Sequence, residues 1–144
     1  MIKKYNNIFQ LYKSYIVENS QFSPLVVKNY TSTSTHFPTI SCQLSNFVDT
    51  DYCTIDMIEK YDEMYLTIDI YTQDKTIDGV KFASQQINDE LTELTIQFFN
   101  SIKMKRTICR LTPNLDKSIV RRTIQYQGLV SVYRDNIIRR WLYV

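Results

Sequence analysis

Residues 63–72 read EMYLTIDIYT. In an extended chain Met64, Leu66, Ile68 and Ile70 fall on one side, and Tyr65, Thr67, Asp69 and Tyr71 on the other. The period is two throughout, and β-branched and aromatic types dominate. That is the pattern of a strand with one face in a core. So regular a strand belongs in the middle of a sheet.

Downstream, Val80, Ala83, Ile87, Leu91, Leu94 and Phe98 recur at spacings of three and four. This apolar stripe predicts a helix lying across the face of Ile68 and Ile70, with Asp78 as its N-cap. Asn88, Asp89, Glu90 and Glu93 then fall near the solvent edge. A strand follows over 106–111, ended by Pro113, which cannot donate to a ladder. Residues 119–133 form a long strand in which Val120, Arg122, Ile124 and Tyr126 share a face. Gly128 marks a bulge or bend in it. Asp135 and Asn136 suit a tight turn, and 137–142 return as the last strand.

Upstream, Phe37-Pro38 opens a strand. Ile40, Cys42 and Leu44 alternate there with Ser41 and Gln43, and 46–56 read as a connection. Residues 18–37 have no clear period and read as a loop, with a short strand at 25–27. In residues 2–17, Tyr5, Ile8, Phe9, Tyr12, Tyr15 and Ile16 form one helical face, opposite Lys3, Lys4, Gln10, Lys13 and Ser14. The fold class is therefore α+β: a mostly antiparallel sheet of four to five strands with two main helices packed on it. One domain spans 1–144, with an N-terminal helix over about 2–17 and a sheet–helix core over about 37–143.

The 144 residues suffice for a normal single core. Only two glycines and three prolines argue against a disordered or linker-rich chain. A net charge of +2 gives no general nucleic-acid signal. The charge is uneven, however. Residues 49–93 hold most of the acids, whereas 106–144 are rich in arginine against only Asp116 and Asp135. Such a dipolar chain can stack head to tail or dock on an acidic neighbour; a solvated basic face is the simpler alternative.

Cys42, Cys53 and Cys109 are widely spaced and read as reduced, mostly buried thiols. No secretory h-region and no apolar run of membrane-spanning length occurs. The single histidine, His36, has no spaced partner for a triad or a zinc site. No phosphate loop, dinucleotide fingerprint or hydrolase motif is present. Asp49, Asp51 and Asp56 cluster, but without the ligand spacing, glycine and closing Glu of an EF-hand. The expectation is a non-enzyme with no catalytic residue, cofactor or metal. Arg121, Arg122, Arg134, Arg139 and Arg140 with Tyr126, Tyr133 and Trp141 mix basic and stacking side chains, so a small nucleic-acid-binding α+β module is an alternative.

Several short motifs occur in a particular order: Phe37-Pro38 with Asn46, Asp69-Ile70-Tyr71-Thr72, Ala83 early in the second helix, Pro113-Asn114-Leu115-Asp116, and Arg121-Arg122-Thr123-Ile124-Gln125-Tyr126. Over about 37–140 this order resembles the tail terminator (tail completion, or minor capsid) proteins of long-tailed bacteriophages. The resemblance implies a mostly antiparallel sheet with helices on one face. It also implies a six-membered ring that caps the tail tube and joins it to the head connector. A head-side connector or stopper protein of the neck is the alternative within the same machine. The implied partners are copies of the chain, the tail tube protein, the head connector or stopper, and genomic DNA passing through the lumen without specific binding; no membrane is involved. The implied location is the neck of a virion, after synthesis in the host cytoplasm. Arg121, Arg122, Tyr126, Arg134, Arg139 and Arg140 are the candidate interface residues.

Overall fold

The computed structural model describes residues 2–29, 36–53, 60–113 and 116–131. Its elements are α1 (Ile2–Asn19), β1 (Leu25–Val27), β2 (Thr39–Cys53), β3 (Lys60–Thr72), β4 (Lys75–Ile77), β5 (Val80–Phe82), α2 (Ser84–Ser101), β6 (Lys105–Thr112) and β7 (Val120–Ser131). The five-stranded sheet runs β1-β2-β3-β7-β6, and β4 and β5 form a separate hairpin. All pairs in the large sheet are antiparallel except β1 with β2. The fold is α+β. The stretch 63–72 lies in β3, the central strand, paired along its length with β2 and β7.

The predicted alternation becomes a two-faced sheet. Met64, Leu66, Ile68 and Ile70 are all buried under the helices. Their neighbours in register are Ile40 and Cys42 on β2 and Ile124 and Tyr126 on β7. Ile87, Leu91 and Phe99 of α2 close this core from above. The short strand β1 and the aromatic face of α1 both form as the pattern predicts. Tyr5, Ile8, Phe9, Tyr12 and Ile16 are buried. Tyr12 donates or accepts a 2.7 Å hydrogen bond with Thr95 of α2, and Tyr5 donates to the Cys42 carbonyl at 2.6 Å. These two phenols pin α1 to both helix and sheet.

Four expectations need correction. First, α2 starts at Ser84, and Asp78 is not its cap. Asp78 and Gly79 are the tip of the β4–β5 hairpin, with φ of 49° and 79°. Two positive φ values in a two-residue loop are what Asp-Gly tolerates best. Val80 is consequently in a hairpin strand and 55% exposed. Ala83 holds the N-cap position without a side-chain bond. Asp74 replaces it from across the hairpin, its carboxylate accepting the Ser84 N–H at 2.8 Å.

Second, Asn88 is buried, not at the solvent edge. Its amide donates to the Ile70 carbonyl at 3.1 Å and reaches Thr72 Oγ1 and the Val120 carbonyl at 3.4 Å. The buried stripe of α2 includes Asn88, Thr92 and Thr95. Polar types survive there because each is hydrogen-bonded. Third, β2 does not end near residue 46. It stays paired with β3 to Cys53↔Lys60, with irregularities after Leu44 and Asp49. A long partner strand supplies ladder bonds that outweigh the poor strand propensity of Asn and Asp. Fourth, Gly128 is in unbroken register with Met64, so it is neither bulge nor bend. A Cβ there would sit 3.0 Å from Met104 Cε, and the glycine instead admits that side chain against the strand. The register shift lies on β6, between Arg106 and Ile108.

Candidate interaction surface

Period two decides where the arginines of β7 go. Arg121 emerges on the helix-free face and Arg122 beneath α2. Arg121 donates from Nε to Asp69 Oδ1 at 3.2 Å, and its guanidinium lies 5.3 Å from the Tyr71 ring centroid. Asp69 also accepts from the Thr123 hydroxyl, which is 2.6 Å from the Thr112 hydroxyl. A chain of polar side chains thus ties β6, β7 and β3 together on the open face. Arg122 donates to Asp89 of α2 at 2.9 Å. Both arginines are engaged within the subunit.

Tyr126 is fully buried, stacked on Phe99 with centroids 4.3 Å apart. Burial pushes its phenol up to about 12, with the nearby Arg106 charge opposing the shift. It is a core residue and cannot offer a ring to a partner or a base. The predicted set therefore does not converge: Arg121 and Arg122 point to opposite faces, Tyr126 points inward, and Arg134, Arg139 and Arg140 lie outside the described residues. Residues 137–142, predicted as the last strand, also lie outside them, as do Tyr133 and Trp141.

Among the described residues, nothing covers β6. It is the outermost described strand on its side of the sheet, and its residues 105–111 are all exposed. Lys105, Arg106 and Arg110 share it with Ile108 and Leu111, which are 38% and 54% exposed. Cys109 is exposed too, contrary to the expectation of mostly buried thiols, because α2 reaches β7 and stops short of the edge. Cys42 is buried, and burial pushes its thiol up to about 12, which keeps it protonated and unreactive. The Cys53 side chain lies outside the described residues.

A second exposed apolar area was not anticipated. A cavity of about 210 Å³ opens between α1 and the end of the sheet, lined by Ile8, Leu11, Met64, Met104 and Leu129 among others. Leu11 and Leu129 at its mouth are 60% and 57% exposed. In the sequence, Leu11 sits on the polar side of α1 and Leu129 on the outer side of β7, and that mismatch was its signal. Among the described residues no group of three or more His, Cys, Asp or Glu could hold a metal. His36 is exposed, with Nε2 3.2 Å from the Ser23 carbonyl oxygen. The Asp49, Asp51 and Asp56 side chains lie outside the described residues. No helix among the described residues is long and apolar enough to cross a membrane. Neither a protein-family model nor a curated protein matches the chain.

Proposed function

We propose that the chain is a structural ring subunit of the tail terminator type, capping the tail tube of a long-tailed bacteriophage and joining it to the head connector. The observation that carries the reading is the order of motifs over 37–140, which resembles that family. The architecture supports it. The motif residues 69–72 end the central strand, Pro113 follows β6, and 121–126 lie in β7. The five-stranded sheet has both helices on one face, as the resemblance implies. An edge strand left uncovered among the described residues suits a protein that works by contact with other chains.

In this reading the contact surface is not the predicted β7 arginine row. The charges of Arg121 and Arg122 are answered by Asp69 and Asp89. The exposed basic residues of β6 replace them. The partners are other copies of the chain, the tail tube protein and the head connector, with DNA passing through unread. The test is to image tails assembled with and without this chain. Six-fold rings at the head-proximal tip, and tubes of uncontrolled length in its absence, are expected. Tubes of normal length without it would overturn the proposal. Its recovery on the head-side connector alone would favour the stopper reading.

A further inference from the structure

The cavity between α1 and the end of the sheet has a mouth that the described residues leave open. Ile8, Leu11, Met64, Met104 and Leu129 line it, and Leu11 and Leu129 are each more than half exposed. Apolar surface gathered at such a mouth is what a further apolar side chain covers. The sheet is also unfinished here. β6 pairs with β7 from Thr112↔Arg121 only as far as Lys105↔Gln127. On that side, Leu129 to Ser131 have no partner strand among the described residues. Asp62, in register with Val130, is buried at the same end, and its Oδ1 has no hydrogen-bond partner among the described residues.

The sequence supplies an occupant within reach. β7 ends at Ser131, two residues past Leu129, and residues 132–144 read VYRDNIIRRWLYV. We propose that this segment of the same chain turns back at Asp135-Asn136, pairs with the free edge of β7 and seats Trp141 over the cavity. Asp and Asn suit the central positions of such a turn. A two-residue turn sets 134 opposite 137, and hence 130 opposite 141 and 129 opposite 142. Position 130 lies on the same side of the sheet as Gly128, which is opposite Met64 of the cavity wall. The pairing therefore brings Trp141 to the α1 side and Leu142 beside Leu129. By the same period, Arg139 falls on the side of Asp62, and Arg140 on the side of Glu63, the register partner of Leu129. The charges thus agree with the faces that the pairing dictates. A short tether holds the segment at about millimolar effective concentration, which favours it over a second copy. Ring assembly is not needed for this contact.

Trp141 is the only tryptophan, which makes the contact readable. In the full chain with Cys53→Ser and Cys109→Ser, Leu11→Cys is labelled with bimane, a fluorophore that tryptophan quenches on contact. Cys42 is buried and does not compete for the label. Bimane emission should be several-fold weaker than in the same protein carrying Trp141→Phe. The quenching should survive dilution, and also an excess of unlabelled Trp141→Phe chain. Leu11 is exposed, so labelling spares the core, and far-ultraviolet circular dichroism checks this. In the unlabelled chain, Leu11→Lys should move the Trp141 emission to longer wavelength with the dichroism unchanged. Equal bimane brightness with and without Trp141 would mean that water or another group fills the cavity. Quenching relieved by the excess chain would mean that the Trp141 of a second copy fills it. Either result, or an unmoved Trp141 emission, overturns the proposal. None of them bears on whether six-fold rings form on tails.

Discussion

Asp69 is the residue on which the open face of the sheet depends. It is buried, on the central strand, and accepts hydrogen bonds from Arg121 and Thr123. Its removal takes a shared acceptor from both at once, whereas loss of Arg121 leaves the threonine still bonded to it. We therefore expect Asp69→Ala to destabilise by about 1–3 kcal/mol and Arg121→Ala by less, since the arginine is partly hydrated. Urea midpoints at neutral pH measure both. Equal costs, or a larger one for Arg121, would mean that the pairing and not the aspartate organises the face. The same geometry makes charge reversal at Arg121 an unclean test of assembly, because a glutamate there would face Asp69 inside its own subunit.

At the scale of elements, α2 is begun from a distance. Its N-cap position is an alanine, and its first-turn N–H at Ser84 is met by Asp74, ten residues back. Asp74→Ala should cost about 0.5–2 kcal/mol, as for loss of an ordinary cap. Hydrogen exchange should quicken first at the start of α2 while β3 stays protected; unchanged exchange there would show that the cap is dispensable. This contact explains what could be read in advance and what could not. Period-two and period-3.6 patterns announce β3, α1 and the body of α2, because burial on one face leaves a periodic record. The start of α2 leaves none: it depends on a hairpin that brings Asp74 to Ser84, and the Asp78-Gly79 signal for that hairpin competes with an equally good capping pattern. Asn88 misleads for the same reason. Its type suggests solvent, and only the converging ends of β3 and β7 supply the acceptors that let it be buried. The site is harder still. Spacing shows that Arg121 and Arg122 face opposite ways, but not that Asp69 and Asp89 wait for them, nor that β6 is the outermost described strand on its side.

At the scale of the molecule, one core joins every major layer. Tyr5 and Tyr12 come from α1, Cys42 from β2 and Tyr126 from β7, and all belong to the same buried cluster. Burial pushes Tyr5, Tyr126 and Cys42 up to about 12, and Tyr12 upward too, from ordinary values of 10.0 for the phenols and 9.0 for the thiol. A raised pKa in the folded state means that the unfolded chain loses its proton first. The stabilising contribution is thus whole below about pH 9 and drains away as pH climbs toward 12. Because the four groups share one packed interior, none can ionise without admitting water to the rest. We expect the tyrosinate absorbance of these buried phenols to rise late on alkaline titration, together with the collapse of the far-ultraviolet circular dichroism. A buried-phenol signal that appears while the dichroism holds would show that the core opens locally, between α1 and the sheet, before the molecule unfolds.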